Sequence, residues 1–417
     1  MLKKHRSSLF AALNDIKNDF SVSAVVIAMI AVTVSYAGPL LIVFQAAKAA
    51  HLSPGQLSSW IWAISIGSGI TGIILSIWFR APVIIAWSTP GAVLLVSSLT
   101  AYQYSDAIGA YLFSALIVVF FGFSGIFSVV MKRVPHSIIT AMLAGILLKF
   151  GVEVFVSLRQ LPLLAIPMVL CYLLSKRWFP RYAVVSTLIV GLLIAFNLDR
   201  LNVGNINVLL ATPIWTAPTF SLNALIGLGI PLCIVTMASQ NATGMGVLRA
   251  DGYDIPASPL IATTGLASLI SAPFGAHGIN LAAITAAICT GKETHSDPRK
   301  RYIAGIASGA FYIVIGIFGA TVASLFSAFP AELVAIIAGL ALFSSLISSL
   351  SSAMGNDAKK ESALITFLVT ISGISIAGVG AAFWGLLAGI LADTILSGTI
   401  RTIVTSNEAV AVSETES

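Results

Sequence analysis

The sequence predicts an all-α polytopic membrane protein with about fourteen transmembrane segments, built as two inverted seven-span repeats. Three observations carry this. Hydrophobic residues make up 58% of the chain and charged residues 9%, with a mean hydropathy of +0.99, whereas soluble chains carry roughly 25% charged residues. Apolar stretches recur along all 417 residues with short connections between them. Two of these stretches, around residues 82–100 and 276–291, are interrupted by Ser, Thr, Pro, Gly or Asn and read as a short strand followed by a half-helix. Irregular backbone persists at membrane depth only where it lines a buried or watery cavity.

The apolar segments fall near residues 20–46, 56–79, 82–100, 107–131, 135–156, 161–177 and 182–197, then 222–247, 258–273, 276–291, 302–327, 331–352, 361–378 and 380–397. The third and tenth are the broken ones; hydropathy alone would also allow a count of twelve. The first follows Lys3, Lys4 and Arg6 like a signal peptide, but its apolar run from about Val22 to Ala47 is too long for one and reads as a span. Residues 198–221, rich in Asn, Pro and Thr, form the one long connector, and 406–417 read as a disordered acidic tail. Cys171, Cys233 and Cys289 lie inside apolar segments at no metal-ligand spacing, so they read as free thiols and no metal or cofactor is expected.

Charge orients the chain. With the N-terminus in the cytoplasm, 18 of the 22 Lys and Arg residues fall in inner loops, and only Lys48, Arg159 and Arg200 fall outside, with Lys149 inside the fifth span. The positive-inside rule therefore puts both termini in the cytoplasm, and the +6 net charge reflects topology and no nucleic-acid partner. Pro39-Leu40-Leu41-Ile42-Val43 recurs 192 residues later as Pro231-Leu232-Cys233-Ile234-Val235, and the same offset carries Ser88 onto Asn280. Seven spans per half is an odd number, so the halves are inverted.

Two half-helix N-termini aimed at one point form an anion site without a basic side chain, because each end presents free N–H groups and about half a positive charge. A charge at the bilayer centre costs roughly 2.5–3.5 kcal/mol on insertion scales, and each helix end returns up to about 2 kcal/mol. The donors expected there are Ser88, Thr89 and the Gly91 amide on one side, and Gly278 and Asn280 on the other. The eighth span ends in the polar run Thr236–Gly246, where adjacent Gln240 and Asn241 are expensive unless satisfied; both are expected to face the site. Tyr36 is a further candidate, as a ring packing on the ligand.

Three runs, Pro231–Gly244, Pro273–Asn280 and Trp87-Ser88-Thr89-Pro90-Gly91, resemble the BenE benzoate/proton symporters, and the resemblance extends over essentially the whole chain. That family is distantly similar to nucleobase, sulfate and bicarbonate transporters with a seven-plus-seven inverted repeat. The resemblance implies a core of 20–131 and 222–327 and a gate of 132–197 and 328–397, with 1–19 and 398–417 as cytoplasmic ends and 198–221 as the external connector. It implies import of benzoate or a similar aromatic carboxylate by proton symport across a bacterial inner membrane, with a homodimer left open. The nucleobase relatives place acidic residues on the eighth and tenth spans, where this chain has Gln240 or Asn241 and Ile279. Absence of fixed carboxylates suits a carboxylate ligand, since like charges at close range are costly.

For the proton, His277 beside the site and Glu153 on the fifth span are the candidates, the former because an unperturbed imidazole titrates near pH 6.5. On that reading His277→Ala keeps binding but uncouples uptake from the pH gradient. Lys149 and Glu153, four apart, are expected to pair on one helix face. An acid crossing already protonated would need no such group. Another anion or a nucleobase on the same fold is the alternative; a membrane-embedded enzyme lacks any His-Glu-x-x-His or Gly-x-Ser-x-Gly pattern.

Overall fold

In lipid every backbone N–H and C=O must be satisfied within its own segment, so apolar stretches of this length become helices. The computed structural model describes residues 15–125, 135–201, 208–376, 379 and 381–397. Lys3, Lys4, Arg6, Lys132, Arg133, Arg401 and the acidic tail lie outside them. The first half comprises α1 (Val22–Ala37), α2 (Pro39–Ala49), α3 (Pro54–Phe79), β1 (Ile85–Trp87), α4 (Thr89–Ser98), α5 (Tyr104–Ser124), α6 (His136–Gln160), α7 (Pro162–Trp178) and α8 (Ala183–Asn197). The second comprises α9 (Leu222–Ala250), α10 (Ala257–Ser271), β2 (Ile279–Leu281), α11 (Ile284–Thr290), α12 (Tyr302–Ile317), α13 (Gly319–Ser327), α14 (Ala331–Met354), α15 (Lys360–Ile371) and α16 (Ala381–Leu396). Among the described residues eight helices are long and apolar enough to cross a membrane by themselves. Helices such as α4, α8 and α16 are apolar but shorter, so helix length alone does not yield fourteen crossings.

Local chemistry sets the ends. Ser53 and Gln56 close a capping box ahead of Pro54, and α3 stops at Arg80, which adopts a left-handed conformation (φ 48°). Its guanidinium then reaches Asp15 at 2.5 Å and Asp19 at 3.0 Å, and Lys300 joins Asp19 at 3.5 Å; the carboxylate of Asp15 holds the Arg80 guanidinium above its ordinary pKa. The first segment breaks at Gly38, just before Pro39, and α9 contains π-helical turns at Leu225–Gly229 and Thr236–Asn241. The repeated Pro-Leu-x-Ile-Val run therefore follows a backbone irregularity in each half. Such π turns recur at functional sites.

Helix pairing is symmetric between the halves. α3 packs along α12 and α5 along α10, while α7 pairs with α8, α15 with α16, and α6 with α14. The glycines of the eleventh segment all meet α3: a Cβ on Gly309 would lie 2.5 Å from the Gly69 carbonyl, one on Gly316 2.9 Å from Ser65, and one on Gly319 3.1 Å from the Ser58 carbonyl. Small residues admit the close backbone approach typical of membrane helix pairs. The connector, as far as it is described, is pinned to core helices: the Ile214 amide donates to Ser59 Oγ at 2.9 Å, Thr216 to the Pro273 carbonyl at 2.8 Å, and Thr219 Oγ1 to Asp106 at 2.6 Å. Asp106 sits in the first turn of α5.

Candidate functional site

The two broken segments meet as a two-stranded antiparallel sheet, with Ile85 opposite Leu281, Ala86 opposite Asn280 and Trp87 opposite Ile279. The strands begin 194 residues apart, at Ile85 and Ile279, so the sequence offset of 192 misses their equivalence by two. After β1, Ser88 caps α4: its Oγ accepts from the Gly91 amide at 3.1 Å and from Thr236 Oγ1 at 3.2 Å. Pro90 has no N–H and the Ala92 amide already donates to the Ser88 carbonyl at 2.8 Å. The helix start is thus mostly satisfied from within, and the Gly91 amide, expected as a ligand donor, serves the cap.

The second expected helix start is displaced. α11 begins at Ile284, beyond Asn280, because residues 279–281 are committed to β2. Ser88 donates to the Gly278 carbonyl at 3.1 Å and Ala282 to the Ile84 carbonyl at 2.9 Å; antiparallel alternation assigns the Asn280 amide between them to Ala86. The orientation that satisfies the Asn280 carboxamide has its oxygen accept from the Ser88 amide at 3.0 Å and its nitrogen donate to the Leu281 carbonyl at 3.1 Å. Asn241, fully buried on the π turn, accepts from the Leu281 amide at 3.1 Å and donates to Met237 Sδ at 3.5 Å. Gly278, Asn280 and Asn241 therefore build the strand crossing and hold it to α9.

His277 is likewise spent. Its Nδ1 accepts from Trp60 Nε1 at 3.0 Å and its Nε2 donates to the Ser88 carbonyl at 2.9 Å, with the side chain buried. One acceptor and one donor define a neutral imidazole, and the ring ties α3 to the cap of α4. Tyr36 bonds Ser65 at 2.6 Å and lies edge-on to Trp87 at 5.2 Å, behind it.

A cavity of about 340 Å³ opens beside this crossing. Trp87, Thr89 and Pro90 line it from the first half, Ser239, Gln240 and Thr243 from α9, and Ala282, Ala283 and Thr285 from the start of α11. Of the eight expected ligand residues, Thr89 and Gln240 are on its wall. The opposite wall is α6 (His136, Thr140) and the serine stripe of α14, Ser344, Ser345, Ser348, Ser349 and Ser352. Reading the sequence for half-helices missed this stripe, although five serines at helical spacing in an apolar segment were there to be found. Among the described residues no acidic residue, lysine or arginine lines the cavity. Trp87 is 2% exposed and its indole N–H has no partner among the described residues.

A second cavity, about 510 Å³, lies at the other end of the same helix pair. α6 contributes residues 136–143 to the first cavity and 149–160 to the second, and α14 contributes 341–352 and 331–335; the helices are antiparallel and the cavities face opposite ends. Between them α2, α4, α6 and α14 carry buried apolar side chains, among them Val43, Leu95, Leu147 and Ile337. Glu153 lines the second cavity, distant from Thr89 and Gln240. It forms no ion pair with Lys149, against the i, i+4 expectation: both side chains turn to the cavity.

Helices paired in this two-fold manner, with crossed strands beside a cavity in mid-fold, define a membrane transporter of the inverted-repeat class. The transmembrane domain of a cyanobacterial bicarbonate transporter, BicA, aligns with a TM-score of 0.53 over 90% of this chain and 96% of that one, at 14% identity. The murine Solute Carrier 26 family member A9 anion transporter, in an inward-facing state, aligns with a TM-score of 0.58 over 96% of this chain and 74% of that one, also at 14% identity. At such identities the likeness is one of fold. The chain belongs to the BenE family, described as benzoate membrane transport protein, which it matches over residues 18–395. It is 44% identical to the benzoate membrane transport protein of Acinetobacter baylyi, over 92% of this chain and 98% of that protein. It is 39% identical to the inner membrane protein YdcO of Escherichia coli, over 88% and 94%.

Proposed function

We propose that this protein imports benzoate or a similar aromatic carboxylate by proton symport across a bacterial inner membrane, with N- and C-termini in the cytoplasm. The observation that carries the reading is the first cavity: it offers hydroxyl and amide donors around Trp87, and among the described residues no carboxylate, lysine or arginine lines it. The carboxylate sits against Thr89 and Gln240, the ring against Trp87. The name and similarity of the Acinetobacter relative support the same substrate class.

Fourteen segments cross the bilayer, the third and tenth as strand plus helix. α1–α5 and α9–α13 act as the core and α6–α8 and α14–α16 as the gate. The first cavity lies toward the end of α14 that precedes Lys359 and Lys360, the cytoplasmic end under the positive-inside rule, so the arrangement is inward-open. Transport then slides the core past α6 and α14 until the second cavity reaches Thr89. His277 does not carry the proton, since neither of its ring nitrogens is free. His277→Ala leaves the Trp60 N–H and the Ser88 carbonyl unpaired, each at about 1–3 kcal/mol. The expected result is lower thermal stability with pH-driven uptake per folded molecule retained; loss of coupling at unchanged stability returns His277 to the proton path.

The primary test is labelled benzoate uptake into proteoliposomes with an inside-alkaline pH gradient, repeated with a protonophore and with protein-free liposomes, because neutral benzoic acid leaks through lipid. Protein- and gradient-dependent accumulation supports symport. Protein-dependent uptake of another anion or a nucleobase, with none of benzoate, overturns the substrate.

A further inference from the structure

We infer that the second cavity is an outer capture site, in which Lys48 and Lys149 bind the aromatic carboxylate before the core moves. The inference deepens the transport reading and rests on it. Sequence and fold place four charges around this cavity: Lys48 in the last turn of α2, Lys149 and Glu153 on α6, and Glu332 in the first turn of α14. None of these four forms an ion pair among the described residues, although Lys149 and Glu153 are spaced for one. Elsewhere charges do pair: Arg80 with Asp15 and Asp19, Lys359 with Asp393 at 2.9 Å. Two ammonium groups left facing a cavity are available to an incoming anion.

The rest of the wall suits an aromatic acid. Phe44, Phe150 and Phe329 supply apolar ring surface, and the lysine stems extend it. Among the described residues the first cavity, by contrast, is lined by no lysine or arginine. The two ends of the path thus differ in chemistry. One attracts the anion by charge; the other holds it by neutral donors and lets it go. Glu153 and Glu332 set the field against which the lysines act, and removing either negative charge strengthens capture. The floor of the capture site is Val96, about 10 Å along α4 from Thr89 at 1.5 Å per residue, with the buried apolar layer between.

The test compares uptake kinetics of Lys48→Gln, Lys149→Gln and Glu332→Gln in right-side-out and inverted membrane vesicles. Each lysine variant is expected to raise KM for benzoate entering from the outer face by about three- to tenfold, with Vmax within about twofold, and to flatten the dependence of KM on salt. Glu332→Gln is expected to lower KM. KM from the inner face stays unchanged in all three. Opposite responses to removing opposite charges exclude a general packing defect. Wild-type transport with equal outer KM in the three variants, or a parallel change from both faces, overturns the capture site. Absence of gradient-driven benzoate uptake by the wild type instead overturns the transport reading beneath it.

Discussion

Gln240→Glu is expected to raise KM for benzoate about a hundredfold at neutral pH while leaving the protein folded. Gln240 lies on the cavity wall with no acidic neighbour there among the described residues, so the substitution sets a fixed carboxylate beside the one that binds. Two unit charges about 4 Å apart repel by about 1 kcal/mol in bulk water and about 4 kcal/mol at an effective dielectric of 20. The cavity is partly open, and an intermediate value of about 2.7 kcal/mol corresponds to the hundredfold. Uptake recovers as the pH falls and the introduced carboxyl takes up a proton. Gln240→Ala, which removes a donor without adding charge, is expected to cost about tenfold. The pair separates an anion site from a site for a neutral base: a neutral ligand would tolerate the carboxylate. Equal effects of the two substitutions in purified, folded protein count against a carboxylate at Gln240.

Gly309→Leu is expected to prevent stable folding, seen as lost monodisperse protein and an apparent Tm lower by about 5 °C or more in detergent. At this point α12 lies directly on α3: a Cβ would meet the Gly69 carbonyl at 2.5 Å, and a Cβ on Gly69 would meet the Gly309 carbonyl at 2.6 Å. Backbone cannot swing aside as a side-chain tip does, so the helices must separate, at about 1–3 kcal/mol or more. Gly246→Ala is the control. Nothing lies within 4 Å of a Cβ there, and helix propensity favours Ala by about 1 kcal/mol. Wild-type behaviour of Gly309→Leu would mean that the α3–α12 crossing is looser than the geometry requires.

Thr89 and Gln240, which line the first cavity, were legible as candidates because a polar run in an apolar segment has to be satisfied or used. Which of the two outcomes applies to each residue was not legible. Ser88, Asn241, His277 and Asn280 are polar like the residues on the cavity wall, yet their hydrogen bonds are consumed in joining β1, β2 and α9 and in tying α3 to the cap of α4. Their partners lie up to about two hundred residues away, and a linear pattern does not reveal who pairs with whom. The tenth segment shows the same limit: a Gly-Ile-Asn run can open a helix or close a strand, and pairing with Ile85–Trp87 selects the strand.

By itself the sequence determined that the chain lives in a membrane, that two of its apolar stretches carry Pro, Gly and polar residues, and which family motifs it carries. Each of these follows from local physics: apolar length, Pro and Gly at fixed positions, and polar residues too costly to leave without purpose. Only the tertiary structure decided where α11 starts, which polar groups face a cavity, that five serines of α14 form its far wall, and that Lys48, Lys149, Glu153 and Glu332 share a second cavity. Those facts depend on which helices meet and at what depth, and burial of a polar group is settled by its partner across the interface, not by its neighbours in the chain.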